Sequence, residues 1–285
     1  MRKTINLIAF LLVGIFLFSS CHKEGQYLPK KKLNKIERAS ITDAGTIVSE
    51  VEEWQWDGKL LSSIITKTGS GDLISTVNFK YDSKKRIESL HVKYSQFSND
   101  FKFIYEGKDL VKITRVNEEF DEEDVYTFKK IDGNVTEITL SPVESKSMTG
   151  LNILRFVLPS EVADQIKPSS TKATTTYKLT WDGNNVTKME TYSNGVLSVT
   201  NTWKHDDMIN PLNGLYTDNS LRTIEGLYSA NNVIEETTVL MIMGMETIVQ
   251  NKYEYKYDDK YPTERTWNVE SLGISMKRIE TYYYN

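Results

Sequence analysis

One cysteine, Cys21, three histidines and six prolines are all that 285 residues contain of these types. A single thiol excludes a disulfide within the chain, so stability in an oxidising compartment must come from core and sheet. His22, His91 and His205 do not stand at metal-ligand spacing, and no H-E-x-x-H occurs. A G-x-S-x-G elbow and a phosphate-cradling glycine loop are missing as well. These absences lead to the expectation of no catalytic residue, no metal ligand and no cofactor. Paired carboxylates of a glycan-active enzyme carry no local motif, which leaves that as the residual catalytic reading. Beyond residue 20 no run of eighteen apolar residues occurs, which excludes a spanning helix there. The formal net charge of −4, without a basic stripe, speaks against nucleic acid as a partner.

What is present begins with an export signal. Arg2 and Lys3 precede an apolar stretch from Ile5 to Phe18 that ends in "LFSSC" at Cys21; it is too short to span a membrane comfortably. Ser19 and Ser20 before the cysteine resemble the lipobox cut by bacterial signal peptidase II, which makes Cys21 the acylated residue. The reading is a signal peptide over 1–20, a flexible tether over 21–35 that opens "HKEGQYLPKKK", and a single domain over 36–285. The expected address is the cell envelope, at the outer membrane, with the membrane contacted through the N-terminal lipid.

The domain is rich in the residue types that suit a pleated surface, with 16 Tyr, 10 Phe and 5 Trp beside many Thr, Val and Ile. A cadence runs through it. An acid follows alternating apolar and polar residues at Asp57, Asp82, Glu106, Asp132, Asp182, Asp206 and Asp258. The spacings are close to one another, or close to double, which marks an iterated unit of about 25 residues. A worn copy, "YSANNVIEE", lies at 228–236.

Each unit reads as a β-hairpin. Val77, Phe79 and Tyr81 alternate with Thr76, Asn78 and Lys80, and the period of two puts aromatics on one face and charges on the other. The acid caps a turn, with positive φ supplied by Gly58, Gly107, Gly133 and Gly183. After the turn the apolar residues stand three apart, as in Leu61 and Ile64 or Val186 and Met189, and a step of three in a strand implies a β-bulge. The fold class is therefore all-β: an up-and-down antiparallel meander of repeated hairpins, about 14 to 18 strands of roughly 8 residues, forming a strongly curved or closed barrel-like sheet. Residues 150–167, with Ser160 after Pro159, break the cadence and read as one short helical or loop insertion. Trp56, Tyr81, Tyr105, Trp181 and Tyr257 share one slot and are expected to stack in rows across hairpins.

The Y-D-x-x-x-R-I pattern of Tyr81 to Ile87, with Tyr105-Glu106 and Tyr257-Asp258, resembles the YD-type repeats of bacterial surface proteins. Together with the lipobox, "HDDMINPLNGL" and "YKYDDKYPTERTW" resemble a family of uncharacterised lipoproteins of Bacteroidota-type bacteria, a domain of unknown function described as porin-like in fold. The resemblance spans roughly residues 36–285, implies a curved or closed antiparallel sheet, and assigns no functional residue.

Two further stretches stand out. The acidic run "NEEFDEED" at 117–124 reads as a solvated hairpin tip, and "TVLMIMGMETIV" at 238–249 is apolar on both faces. The latter is either covered or offered to something greasy. The functional expectation is a non-catalytic, lipid-anchored envelope protein that binds a ligand or partner, such as an envelope protein or a glycan, as an accessory to an outer-membrane complex. The alternative is a carrier of a hydrophobic, lipid-like ligand. An acyl-sized apolar interior favours the carrier, and a filled interior favours the binding module.

Overall fold

The computed structural model describes residues 24–42, 45–117, 119, 122–144, 174–217, 224–242, 245–271 and 274–285. The signal at 1–20, Cys21 and the expected insertion at 150–167 lie outside the described residues. The first half holds β1 (Leu33–Thr42), β2 (Gly45–Asp57), β3 (Leu60–Thr68), β4 (Leu73–Tyr81), β5 (Ile87–Tyr94), β6 (Ser98–Glu106), β7 (Asp109–Asn117), β8 (Glu122–Ile131) and β9 (Asn134–Glu144). The second half holds β10 (Thr175–Asp182), β11 (Asn185–Ser193), β12 (Val196–Ile209), a five-residue helix α1 (Ile224–Tyr228), β13 (Asn231–Ile242), β14 (Met245–Lys252), β15 (Glu254–Asp258), β16 (Tyr261–Ser271) and β17 (Ile274–Tyr284).

All strand pairs are antiparallel, and the order round the sheet follows the chain. β1 pairs with β2 on one side and β17 on the other, and β9 pairs with β10. β14 and β15 are two stretches of one extended run broken at Tyr253, the first paired with β13 and the second with β16. The result is a nearly closed, 17-stranded barrel-like sheet.

The bulges expected after the turns are present, and they explain the aromatic slot. At the start of β3 the register jumps so that Trp56 faces Leu61 while Gln55 faces Ser63, which leaves Ser62 as the extra residue. The same jump leaves out Glu88, Thr136, Thr187 and Thr263 in their strands. A bulge costs ladder bonds, and side chains restore them. The Ser62 hydroxyl donates to the Gln55 carbonyl at 2.9 Å, and Thr263 does so to Lys256 at 3.2 Å. On the next strand an aromatic tip donates to the carbonyl of the residue that starts the bulge. Trp56 Nε1 reaches Leu33 at 2.7 Å, Tyr81 Oη reaches Leu61 at 2.7 Å, Tyr105 Oη reaches Ile87 at 2.8 Å and Trp181 Nε1 reaches Val135 at 2.7 Å. Tyr284 repeats the contact to Pro262 at 2.9 Å.

The slot aromatics therefore lock neighbouring hairpins by hydrogen bonds, and the expected stacking between them is not what the structure shows. Ring stacking runs along single strands instead, between Phe79 and Tyr81 and between Tyr255 and Tyr257, because residues two apart on a strand share a face. In β8 the pairing shifts the pattern by one residue. Lys130 faces Val135 and Ile131 faces Asn134, so Lys130, not an aromatic, fills the slot, and Asp132 takes the positive φ (53°) that Gly58 and Gly107 take elsewhere. The acid does cap the wider loop at Asp82, whose carboxylate accepts the Lys84 and Arg86 amides at 2.8 and 2.9 Å. Arg86 then pairs with Asp82, covers the Tyr105 ring at 4.0 Å and donates to the Gly107 carbonyl. This is the physical content of the Y-D-x-x-x-R-I pattern.

The end of the barrel that carries these acid turns is plugged. After β12 the chain turns inward at Asn210, and Leu215, Tyr216, Ile224 and Leu227 are buried. Tyr216 meets Phe103 edge-on, and Tyr228 meets Trp181 in the same way. "YSANNVIEE" is thus no hairpin copy, since Tyr228 ends α1 and β13 begins only at Asn231.

Residues 24–35, read from sequence as part of a flexible tether, are instead fixed. Tyr27 is 2% exposed, stacks on Trp56 and donates to the Pro211 carbonyl at 2.7 Å. Gly25 passes so near Tyr105 that a Cβ would lie 2.1 Å from its hydroxyl, and its carbonyl accepts the Ile87 amide. Glu24 accepts the Leu110 amide at 2.7 Å and pairs with Lys130. A polar composition suggested a loose tether, but a buried tyrosine and a series of contacts to neighbouring backbone hold it.

On the outer face Lys102 on β6, Lys178 on β10 and Lys204 on β12 are exposed at interior strand positions, and Lys80 and Lys93 are exposed one residue from the ends of β4 and β5. A lysine at an interior position would cost about 2–4 kcal/mol at a bilayer midplane.

Candidate functional site

Between the plug and the opposite end lies a partly open cavity of about 390 Å³, within the size range of small-molecule sites. Its wall is set by register. Arg38 on β1 lies opposite Glu50 on β2 and Glu280 on β17, and Glu280 lies opposite Arg265 on β16. Cross-strand partners share a face, so one level of the lumen carries an acid, a base, an acid and a base in sequence. Arg38 Nε donates to Glu280 at 2.8 Å, its Nη1 donates to Glu52 at 2.7 Å and to Glu50, and Arg265 Nη2 donates to the other oxygen of Glu280 at 2.8 Å.

Glu280 is 3% exposed. Burial alone would raise its carboxyl, but the guanidinium groups of Arg265 and Arg38, with the Tyr282 hydroxyl, outweigh that and hold it down at about 2. Arg265 lies over the Tyr253 and Trp267 rings at 5.2 and 4.8 Å.

The remaining wall mixes aromatic and polar groups with aliphatic ones from Ile36, Ile64, Val77, Val92 and Val233. Trp203 on β12 faces Glu236 on β13 and donates to its carboxylate at 3.1 Å, and Tyr253 Oη donates to the same group at 2.9 Å. Trp54 Nε1 donates to Glu52 at 3.3 Å. Asn210, Pro211, Leu212 and Leu227 of the plug form the floor.

The residues singled out from sequence are placed elsewhere. Cys21 and His22 lie outside the described residues. His91 pairs with Asp100 on the outside at 2.9 Å. His205 is half-buried beside Asp206; burial lowers its pKa and Asp206 partly opposes this. Among the described residues no group of three or more His, Cys, Asp or Glu could hold a metal. The acidic run at 117–124 is not a wholly solvated tip. Asn117 is buried and donates to Asn99, and Asp124 turns inward to pair with Arg115 at 2.7 Å, because both ends of the run fall at inward strand positions. In the apolar stretch at 238–249, Met245 is 67% and Ile248 58% exposed, and β14 pairs with β13 alone. Its described outer residues are therefore not core.

Sequence reasoning missed the charged row. Its one local trace is in β2, where Glu50, Glu52 and Trp54 alternate on the inward face; acids on the core side of an aromatic strand ask for a buried partner. The partners come from strands 242 residues apart in the chain.

No described protein family matches the chain, and no curated protein matches it. Among solved structures, a porin-like protein from Bacteroides uniformis is similar over 89% of this chain and 98% of its own, at 10% identity and a TM-score of 0.51. A porin-like protein from Bacteroides vulgatus is similar over 90% of this chain and 99% of its own, at 11% identity and a TM-score of 0.49. At such identity the likeness to the first is one of fold. It supports the porin-like β architecture that the sequence resemblance implied, and it leaves the lipoprotein and YD-repeat parts of that resemblance without support.

Proposed function

We propose that this chain is a non-catalytic protein of the bacterial envelope, anchored by lipid at Cys21, that holds a small polar ligand in the lumen of its barrel. The observation that carries the reading is the cavity itself: closed at one end by the plug, walled by Trp54, Trp203, Tyr253 and Tyr255, and crossed by a charged row. An acyl chain would share the space with six charged side chains, and desolvating them against hydrocarbon is unfavourable. The carrier of a lipid-like ligand is thereby the weaker reading.

The anchor bears on orientation. Three residues of extended chain reach about 10 Å, and Glu24 is fixed at the plugged end. A lipid on Cys21 would set that end against the membrane and turn the other end away from it.

Native mass spectrometry of the detergent-extracted protein from its own cells tests the function. A co-purifying small polar ligand is expected, released when Trp203 is replaced by Ala. A stoichiometric acyl lipid in its place would overturn the reading in favour of the carrier.

A further inference from the structure

The cavity's charges do not balance. Its lining holds Arg38 and Arg265 against Glu50, Glu52, Glu236 and Glu280, a formal excess of two negative charges. Both bases are committed on one wall: Arg38 to Glu50, Glu52 and Glu280, and Arg265 to Glu280 and the faces of Tyr253 and Trp267. Glu236 stands apart from them. It accepts from Trp203, Tyr253 and, at 3.4 Å, Asn251, and among the described residues no Lys, Arg or His pairs with it.

We infer that the lumen takes a small organic cation, an amine or guanidinium compound, whose charged end meets Glu236 among the rings of Trp203, Tyr253 and Tyr255. Three kinds of observation agree on that class. A partly open space of ligand size is present. Glu236, a half-buried carboxylate in its wall, has neutral donors but, among the described residues, no counter-charge, and a charge partly withdrawn from water favours an opposite one. Tyr253 already lies beside Arg265, and the Trp203 and Tyr255 rings add negative π faces, which attract cations most strongly when both are partly desolvated. An anion would meet the excess of carboxylates: Glu280 already holds Arg38 Nε and Arg265 Nη2, and on Arg265 the Nε is left without a hydrogen-bond partner. A neutral sugar could stack on the rings but would leave the excess charge unanswered.

The inference rests on the lumen being the ligand site and names the chemistry of what enters it. The test uses the full chain in detergent, with spermidine and arginine methyl ester as probes, cellobiose as a neutral comparator and succinate as an anionic one, followed by calorimetry and tryptophan fluorescence. At least one amine is expected to bind, and Glu236→Gln is expected to weaken it about tenfold or more, the equivalent of about 1.4 kcal/mol. Glu246→Gln, at an exposed position on β14, should leave binding unchanged. Should Glu236→Gln fail to fold, carbodiimide coupling on the unaltered protein gives the same information: the activated Glu236 carboxyl should be attacked by bound spermidine, releasing the urea and leaving an amide at Glu236, found by peptide mass spectrometry, in preference to the exposed Glu246. Amine binding that is indifferent to Glu236, in both variant and labelling, overturns the inference. Cellobiose or succinate binding in the lumen without any amine overturns it too, while leaving the lumen as a ligand site. If no probe binds and no small ligand co-purifies from cells, both readings fall together.

Discussion

Replacing Glu280 by Gln keeps the side chain's length and removes one charge from the middle of the luminal row. In the native protein Arg265 and Arg38 hold this acid at about 2, against 4.5 for an ordinary glutamate. An acid whose pKa is lowered by folding contributes its stability above its unfolded pKa, and that contribution is lost as pH falls through the folded value. The gap corresponds to about 3 kcal/mol, fully present above pH ~4.5 and gone near pH 2. The Gln variant also leaves Arg265 without its carboxylate, and breaking a buried pair from one side typically costs about 3–5 kcal/mol. Both routes lead to a loss of about 3 kcal/mol at pH 7. Urea unfolding followed by tryptophan fluorescence, repeated in steps from pH 7 to pH 2.5, should show the native protein losing stability faster than the variant below pH ~5, so that the two converge near the acid end. Replacing both partners with apolar residues, Glu280→Met with Arg265→Leu, should recover much of the loss, since the desolvation cost disappears with the charges. A single variant within about 0.5 kcal/mol of the native protein at pH 7, with parallel pH curves, would refute the reasoning and make the row equivalent to surface pairs.

Three further outcomes are expected. Trp181→Ala should cost about 3–5 kcal/mol and Trp181→Phe, which loses the bond to Val135 and part of the ring's packing, about 1–3 kcal/mol, whereas Lys80→Ala on the outer face should stay within about 0.5 kcal/mol; urea midpoints give all three. Tyr27→Ala should free residues 24–32, seen as faster amide exchange at Ile87 and Leu110, whose amides the strap now covers; unchanged exchange there would mean that the strap is held by something other than its buried ring. Cys21→Ala should abolish acylation because no other thiol exists, and palmitate labelling that persisted in this variant would end the lipoprotein reading.

Much of the architecture was legible because it is written in local periods. A period of two, a turn residue and a step of three place strand, turn and bulge without knowledge of any distant residue, and Phe79, Tyr81, Ile87 and Leu90 all sit where those periods put them. The function of the slot aromatics was harder to read, since the carbonyls they cap become free only when the bulges form. The plug and the strap were missed for another reason. Tyr27 and Tyr216 lie in segments without period, and their burial depends on a lumen that exists only after the sheet curves. The candidate site was the least legible, because Arg38, Glu280 and Arg265 are ordinary exposed charges until β1 and β17 meet.

That meeting governs assembly as well. Each hairpin can form as soon as it is made, yet β1 keeps one edge open until a partner emerges 242 residues later. During that interval the growing meander carries two bare edges, the kind of surface that recruits stray strands. Curvature shortens the hazard: every bulge adds twist, so the advancing end is steered back toward the first strand instead of diffusing to find it. The buried row rewards only the right encounter, since a sheet that closed one residue out of step would set Arg38 against the outward face of its neighbour. Charge in the lumen thus acts as a latch that checks alignment at the seam, and weakening it should slow maturation and favour tangled multimers before it alters anything the finished barrel does.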